Sequence, residues 1–79
     1  MHIQVKLFAN LSRFVEGGQS GKPFKVDLPE GATLEDLVEQ LKLPAEETKV
    51  AFVNGRTQPL DWVLQPGDEV GIFPPIGGG

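Results

Sequence analysis

Cysteine is absent from this chain, and several kinds of chemistry go with it. No disulfide can brace the fold, no thiolate can hold a metal, and no sulfur nucleophile can act in catalysis. Long apolar runs are missing as well. Residues 1–15 carry Lys6 and Arg13 and no continuous hydrophobic stretch of signal-peptide length, so neither a leader nor a membrane span is predicted and a cytoplasmic setting is expected. Positive charge is scarce: seven Lys and Arg stand against eleven Asp and Glu, for a net charge of −4. Binding to a phosphate backbone needs clustered cations, so nucleic acid is not an expected partner. The acidic balance fits ordinary solubility, and it also fits docking on a basic protein surface.

Histidine occurs once, at His2. With no cysteine and no carboxylates converging on it, His2 reads as a surface residue and no metal site is expected. Glu46-Glu47 and Asp68-Glu69 are neighbours in loops or turns, where adjacent side chains diverge; they read as solvated charges rather than an acid–base pair. Gly17, Gly18 and Gly21 do not make a phosphate loop, because no Gly-Lys-Ser/Thr opens a helix after them.

What remains is enough for one small domain. The chain has 79 residues, of which 39% are hydrophobic. That fraction supports a core, although a domain this size buries only about 60% of the surface its unfolded chain exposes. Residues 2–8 alternate, with Ile3, Val5 and Leu7 on one side and His2, Gln4, Lys6 and Phe8 on the other, which predicts a half-buried strand. Residues 16–22 form a glycine-rich loop. Leu11, Phe14 and Val15 before it are expected to make one helical turn that packs on the core. Phe24, Val26 and Leu28 alternate again, so a second strand is predicted to end at Pro29 and to pair with the first as a wide hairpin.

Thr33 is placed to open a helix. Its hydroxyl can accept from the first-turn amides, and Glu35 and Asp36 suit the positive end of the helix dipole. Leu34, Leu37, Val38 and Leu41 recur on one stripe, and Pro44 is expected to stop the helix. Residues 49–53 predict a short apolar strand closed by the turn pair Asn54-Gly55. Residues 60–64 are irregular, with three or four buriable side chains that include Trp62. Val70 to Phe73 predict the last strand, ended by Pro74-Pro75. A mixed sheet of four to five strands with one main helix across it is therefore expected, in a β-grasp arrangement. On that reading residues 1–73 form the domain and residues 74–79 a flexible tail.

The tail is Pro74-Pro75-Ile76-Gly77-Gly78-Gly79. Two prolines stiffen its exit from the sheet, and three glycines leave its end without side chains. Extended, it reaches about 20 Å at roughly 3.3 Å per residue, far enough to carry a terminal carboxylate into a narrow active site on another protein. A Cβ there would meet the walls of such a site. A glycine-rich end also reads as a disordered terminus or a cloning scar. Against a scar, the glycines follow directly from the last strand, with no serine, protease-site remnant or histidine tag.

Three stretches together resemble the MoaD-like sulfur carriers: Val5-Lys6-Leu7-Phe8-Ala9-Asn10-Leu11, Val53-Asn54-Gly55, and Pro66-Gly67-Asp68-Glu69-Val70-Gly71-Ile72-Phe73-Pro74-Pro75-Ile76-Gly77-Gly78-Gly79. The helix start Thr33-Leu34-Glu35-Asp36-Leu37 is similar too. The resemblance covers essentially the whole chain, and Gly-Asp-Glu-Val followed by Phe-Pro-Pro-x-x-Gly-Gly is its most specific part. It implies a ubiquitin-like β-grasp fold and the role of a small subunit of molybdopterin synthase. Gly79 would be adenylated by an E1-like adenylyltransferase of the MoeB or ThiF type, with ATP bound by that enzyme. A sulfur donor would then convert the adenylate to a thiocarboxylate, which would enter a large synthase subunit of the MoaE type. Gly79 and Gly78 would be the reactive end. The chain itself would bind no cofactor and would not be catalytic alone. Gly77 stands where that subfamily often has Ser, Thr or Ala, and Pro59-Leu60-Asp61-Trp62 resembles ThiS, the thiamin-pathway carrier.

In a β-grasp sheet the first and last strands lie side by side and parallel. Phe8 and Phe73 then fall together on the open face, beside the root of the tail. Together with Pro74, Pro75, Ile76 and Gly77 they are the expected partner-binding residues; the other reading covers Phe8 with the loop that carries Phe14. Three functions fit this sequence: a sulfur carrier, a protein modifier joined to lysines through the same tail, and a β-grasp interaction module without tail chemistry.

Overall fold

Alternation in the first strand translates directly into burial. In β1 (His2–Leu7), Ile3, Val5 and Leu7 are buried and the residues between them are not. The computed structural model describes residues 1–9, 11, 21–44, 48 and 50–74. Within it β1 pairs antiparallel with β2 (Phe24–Asp27), Ile3 lying opposite Val26 and Val5 opposite Phe24. The wide hairpin is therefore present. On its other edge β1 runs parallel to β5 (Glu69–Phe73), with Val5 beside Val70 and Leu7 beside Ile72. β3 (Val50–Val53) pairs antiparallel with β5 and, through a two-residue turn, with β4 (Arg56–Thr57). The sheet order is β2-β1-β5-β3-β4, so the last strand in sequence lies at the centre.

One helix, α1 (Leu34–Gln40), buries Leu34, Leu37 and Val38. They join Ile3, Val5, Val70 and Ile72 in a single hydrophobic cluster on one face of the sheet. Burying an apolar side chain of this size contributes about 1.5–3 kcal/mol. A mixed five-stranded sheet with one helix across one face is the β-grasp arrangement.

Both ends of α1 are closed by identifiable groups. At the start, Thr33 Oγ1 accepts from Asp36 N at 3.2 Å, while Asp36 Oδ2 accepts from Thr33 N at 2.9 Å, a complete capping box. The next two free amides, Leu34 N and Glu35 N, donate to the carbonyls of Trp62 and Leu60. Residues 60–64 thus serve the helix mainly through their backbone, which corrects the expectation of three or four buried side chains. Only Leu64 is fully buried, whereas Trp62 and Val63 are 37% and 46% exposed.

The end of the helix is also a correction. It stops at Gln40, ahead of Pro44, because Lys42 takes a left-handed φ of 57°. Leu43 N donates to Val38 O and Lys42 N to Glu39 O, the paired bonds of a Schellman motif in which Leu43 turns back into the core. That position usually holds glycine, since a Cβ in the left-handed region costs roughly 1–2 kcal/mol. Glycine also gains entropy in the unfolded chain, which takes back part of the benefit. Lys42→Gly is therefore expected to raise the melting temperature by about 2–5 °C. A scanning-calorimetry trace with the midpoint unchanged or lowered would refute that account of the helix stop.

Beyond the sheet, Leu11 is fully buried and its amide donates to Phe8 O. The expected turn involving Phe14 and Val15 lies outside the described residues.

Candidate functional site

β1 and β5 end together, and the parallel ladder continues one step beyond them as Phe8 N donates to Ile72 O at 3.1 Å. The chain then turns at Ala9, whose φ is 53°, and drops Leu11 into the core. That reversal leaves the Phe8 ring on the face away from the helix. Two residues past Gly71, Phe73 lies on the same face, and the two rings stack with centroids 4.1 Å apart and planes 1° from parallel. The alternation along β1 and β5 predicts this meeting, and the structure contains it. Phe8 and Phe73 are each half-buried.

A third ring completes the patch. Phe52 meets Phe73 edge to face, with centroids 5.3 Å apart and planes at 74°, an arrangement that lets the positive ring edge meet the negative ring face. Sequence reasoning missed Phe52 by treating residues 49–53 as a continuous apolar strand. The signal was available: Ala51 and Val53 are the core-facing pair, so period two places Phe52 on the open side. Directly across from Phe52 in the register is Gly71. A Cβ built on Gly71 would stand 3.2 Å from Phe8 Cε2 and 3.7 Å from Phe73 Cε1. Glycine at this position gives the two rings room to lie over the central strand.

Beside the rings is an open concavity of about 650 Å³, lined also by Gln4, Lys6 and Glu69. It therefore combines an aromatic wall with one cation and one anion, which suits a protein surface with both apolar and polar contacts. Pro74 follows Phe73 directly and is half-buried. Pro75, Ile76, Gly77, Gly78 and Gly79 lie outside the described residues, as does Phe14, the alternative cover for Phe8.

The start of β5 is fixed as firmly as its end. Asp68, only 8% exposed, accepts from Gln65 N through Oδ2 at 2.8 Å and from Asn54 Nδ2 through Oδ1 at 3.0 Å. Asn54 Oδ1 in turn accepts from Glu69 N at 3.0 Å, and Asn54 N donates to Glu69 O at 2.8 Å. This clamp ties the β3–β4 turn to the residue where β5 begins. The adjacent acidic pair is thus divided: Asp68 is a buried acceptor and Glu69 stays exposed.

Among the described residues no three His, Asp or Glu side chains converge on a possible metal position. His2 Nδ1 pairs with Asp27 Oδ1, and both side chains are largely exposed, where such a pair adds little to stability. Among the described residues no helix is long and apolar enough to cross a membrane.

The family model that matches the chain is that of the ThiS family, over residues 5–79. Among solved structures, the putative molybdopterin converting factor, subunit 1, of Pyrococcus furiosus is 33% identical, with a TM-score of 0.73 over 96% of this chain and 99% of that one. Small archaeal modifier protein 1 of Haloferax volcanii is 27% identical, with a TM-score of 0.72 over 95% and 98%. A chain in the complex of subunits 1 and 2 of molybdopterin-converting factor from Helicobacter pylori is 19% identical, with a TM-score of 0.63 and full coverage of both chains, and shares the fold. No curated protein matches the sequence.

Proposed function

Because the chain belongs to the ThiS family, we propose that it is a sulfur carrier in the synthesis of molybdopterin, with Gly79 as its reactive terminus. The observation that carries this reading is that the family match runs to residue 79, six residues past the end of β5 at Phe73. The family pattern thus includes the segment after the sheet, where a ubiquitin-like carrier has its acyl end. The 33% identity to an archaeal protein named as subunit 1 of a molybdopterin converting factor favours that pathway over thiamin synthesis.

The division of labour follows from chemistry. A carboxylate is a poor acyl donor until one of its oxygens becomes part of a good leaving group. The Gly79 carboxylate oxygen would attack the α-phosphorus of ATP bound by an E1-like enzyme, releasing pyrophosphate. Sulfide-level sulfur, delivered as hydrosulfide by a donor, would then attack the acyl carbon, break its bond to the phosphate oxygen and release AMP, leaving a thiocarboxylate. The carrier contributes the acyl terminus and a surface by which the enzyme holds it. The Phe8, Phe52 and Phe73 rings supply that surface beside the tail root, and a large synthase subunit would read the same face in turn. All of these partners would meet the carrier in the cytoplasm.

The reading is tested by incubating the protein with ATP, an E1-like enzyme and a sulfur donor, then measuring its intact mass. Exchange of one oxygen for one sulfur is the expected gain. A second reading, a protein modifier, is favoured by the 27% identity to small archaeal modifier protein 1. It would appear instead as branched glycine adducts on lysines of other proteins recovered from cells. Neither product after complete adenylation would overturn both.

A further inference from the structure

Asn54 and Gly55 form the two-residue turn between β3 and β4, with φ values of 51° and 85°, the double positive signature of a type I′ hairpin. The same dipeptide is the sequence most prone to lose ammonia from its side chain, because glycine leaves the following backbone nitrogen unshielded. We propose that Asn54 is a deamidation site which the native fold holds in check, and whose conversion disables the clamp at the start of β5.

The step balances simply. The Gly55 backbone nitrogen, having lost its proton to solvent base, attacks Cγ of Asn54. The Cγ–Nδ2 bond breaks, ammonia leaves, and a five-membered succinimide forms. Water opens the ring at either carbonyl, leaving an aspartyl or isoaspartyl residue at position 54.

The folded chain opposes the first of these steps. Nδ2 is held by Asp68 Oδ1 and Oδ1 by Glu69 N, so both ends of the amide are tethered on the β5 side. Ring closure requires the side chain to leave Asp68 and Glu69 and the turn to distort, which makes reaction conditional on local opening or unfolding. The product is then a poor fit. A carboxylate at position 54 has no hydrogen to donate to Asp68, and it faces that residue's carboxylate at the present 3.0 Å contact. Asp68 is 8% exposed while residue 54 lies at the surface, so water screens the repulsion only in part. An isoaspartyl link also adds a backbone atom to a two-residue turn, whose length sets the β3–β4 register. Chains that linger unfolded would therefore be marked chemically and would refold into a less stable sheet.

Peptide mapping at mildly alkaline pH tests the proposal, with native wild type compared with wild type in denaturant. Amide-to-acid conversion at position 54 is expected in denaturant and at least about tenfold more slowly in the native protein. Asp68→Ala, which cuts the tether, is expected to speed the native reaction more than Val38→Ala, which loosens the core and leaves the clamp intact. Asn54→Asp is expected to melt at least about 5 °C below wild type. Equal rates with and without denaturant would overturn the proposal. So would an Asp68→Ala rate no higher than that of Val38→Ala, or an unchanged melting point for Asn54→Asp.

Discussion

Gly78→Trp, or a single residue added after Gly79, is expected to abolish thiocarboxylate formation while leaving the melting temperature at the wild-type value. The two halves of that expectation have separate causes. The core consists of Ile3, Val5, Leu7, Leu34, Leu37, Val70, Ile72 and their neighbours, all of them before the tail, so folding is not expected to depend on Gly78. The proposed chemistry would depend on it completely. Adenylation needs a free carboxylate as the acyl terminus, and an added residue moves that group one peptide unit, roughly 3.3–3.6 Å, beyond its position. An indole at position 78 would meet the walls of the proposed path to ATP, where glycine presents only a hydrogen. Intact-mass measurement after incubation with the activating enzyme reads the loss. Deletion of Gly78-Gly79 provides the discriminating companion, because a β-grasp module that works only by docking would keep its full activity without them. Survival of cofactor synthesis in cells carrying any of these variants would remove the basis for the proposed function.

Phe73→Ala is expected to weaken binding to the activating enzyme by about 10- to 100-fold, or about 1.4–2.8 kcal/mol. The fold should survive. Phe73 stacks on Phe8 at 4.1 Å and meets Phe52 at 5.3 Å, so its ring is the middle member of the patch and its loss disorganises the other two. Aromatic pairs of this kind contribute about 0.5–1.5 kcal/mol each, and the half-buried ring leaves no cavity inside the core. A fall in melting temperature of about 5–10 °C is therefore expected, with the far-ultraviolet circular dichroism preserved. Titration calorimetry against the activating enzyme separates the two effects. If affinity held while stability fell, the ring would belong to the scaffold and the docking surface would have to lie elsewhere.

Local patterns carried most of the architecture because each strand and the helix state their buried face in their own residues. Period two along residues 2–8 and 70–73, and the stripe through Leu34, Leu37 and Val38, specify which sides meet. Given parallel first and last strands, the Phe8–Phe73 stack followed without any knowledge of distances. What escaped the sequence were features made by backbone carbonyls and by unusual dihedrals. The Trp62 and Leu60 carbonyls close the helix start, and no side-chain pattern announces that, so from sequence Trp62 reads only as one of the buriable side chains of residues 60–64. Lys42 occupies a left-handed position normally marked by glycine, so the later proline drew attention as the helix stop. The Asn54–Asp68 clamp joins residues 14 positions apart and depends on the β3–β5 register, which neither segment contains alone.

The central place of β5 has a mechanical consequence. Pro74 leaves a strand bonded along both flanks, parallel to β1 and antiparallel to β3. A pull on the carboxyl end loads two ladders in shear at once. Rungs loaded in shear share the force and must fail together, whereas an edge strand unzips one bond at a time. A load applied beyond Pro74 is thus shared by both ladders and carried into the neighbouring strands β1 and β3.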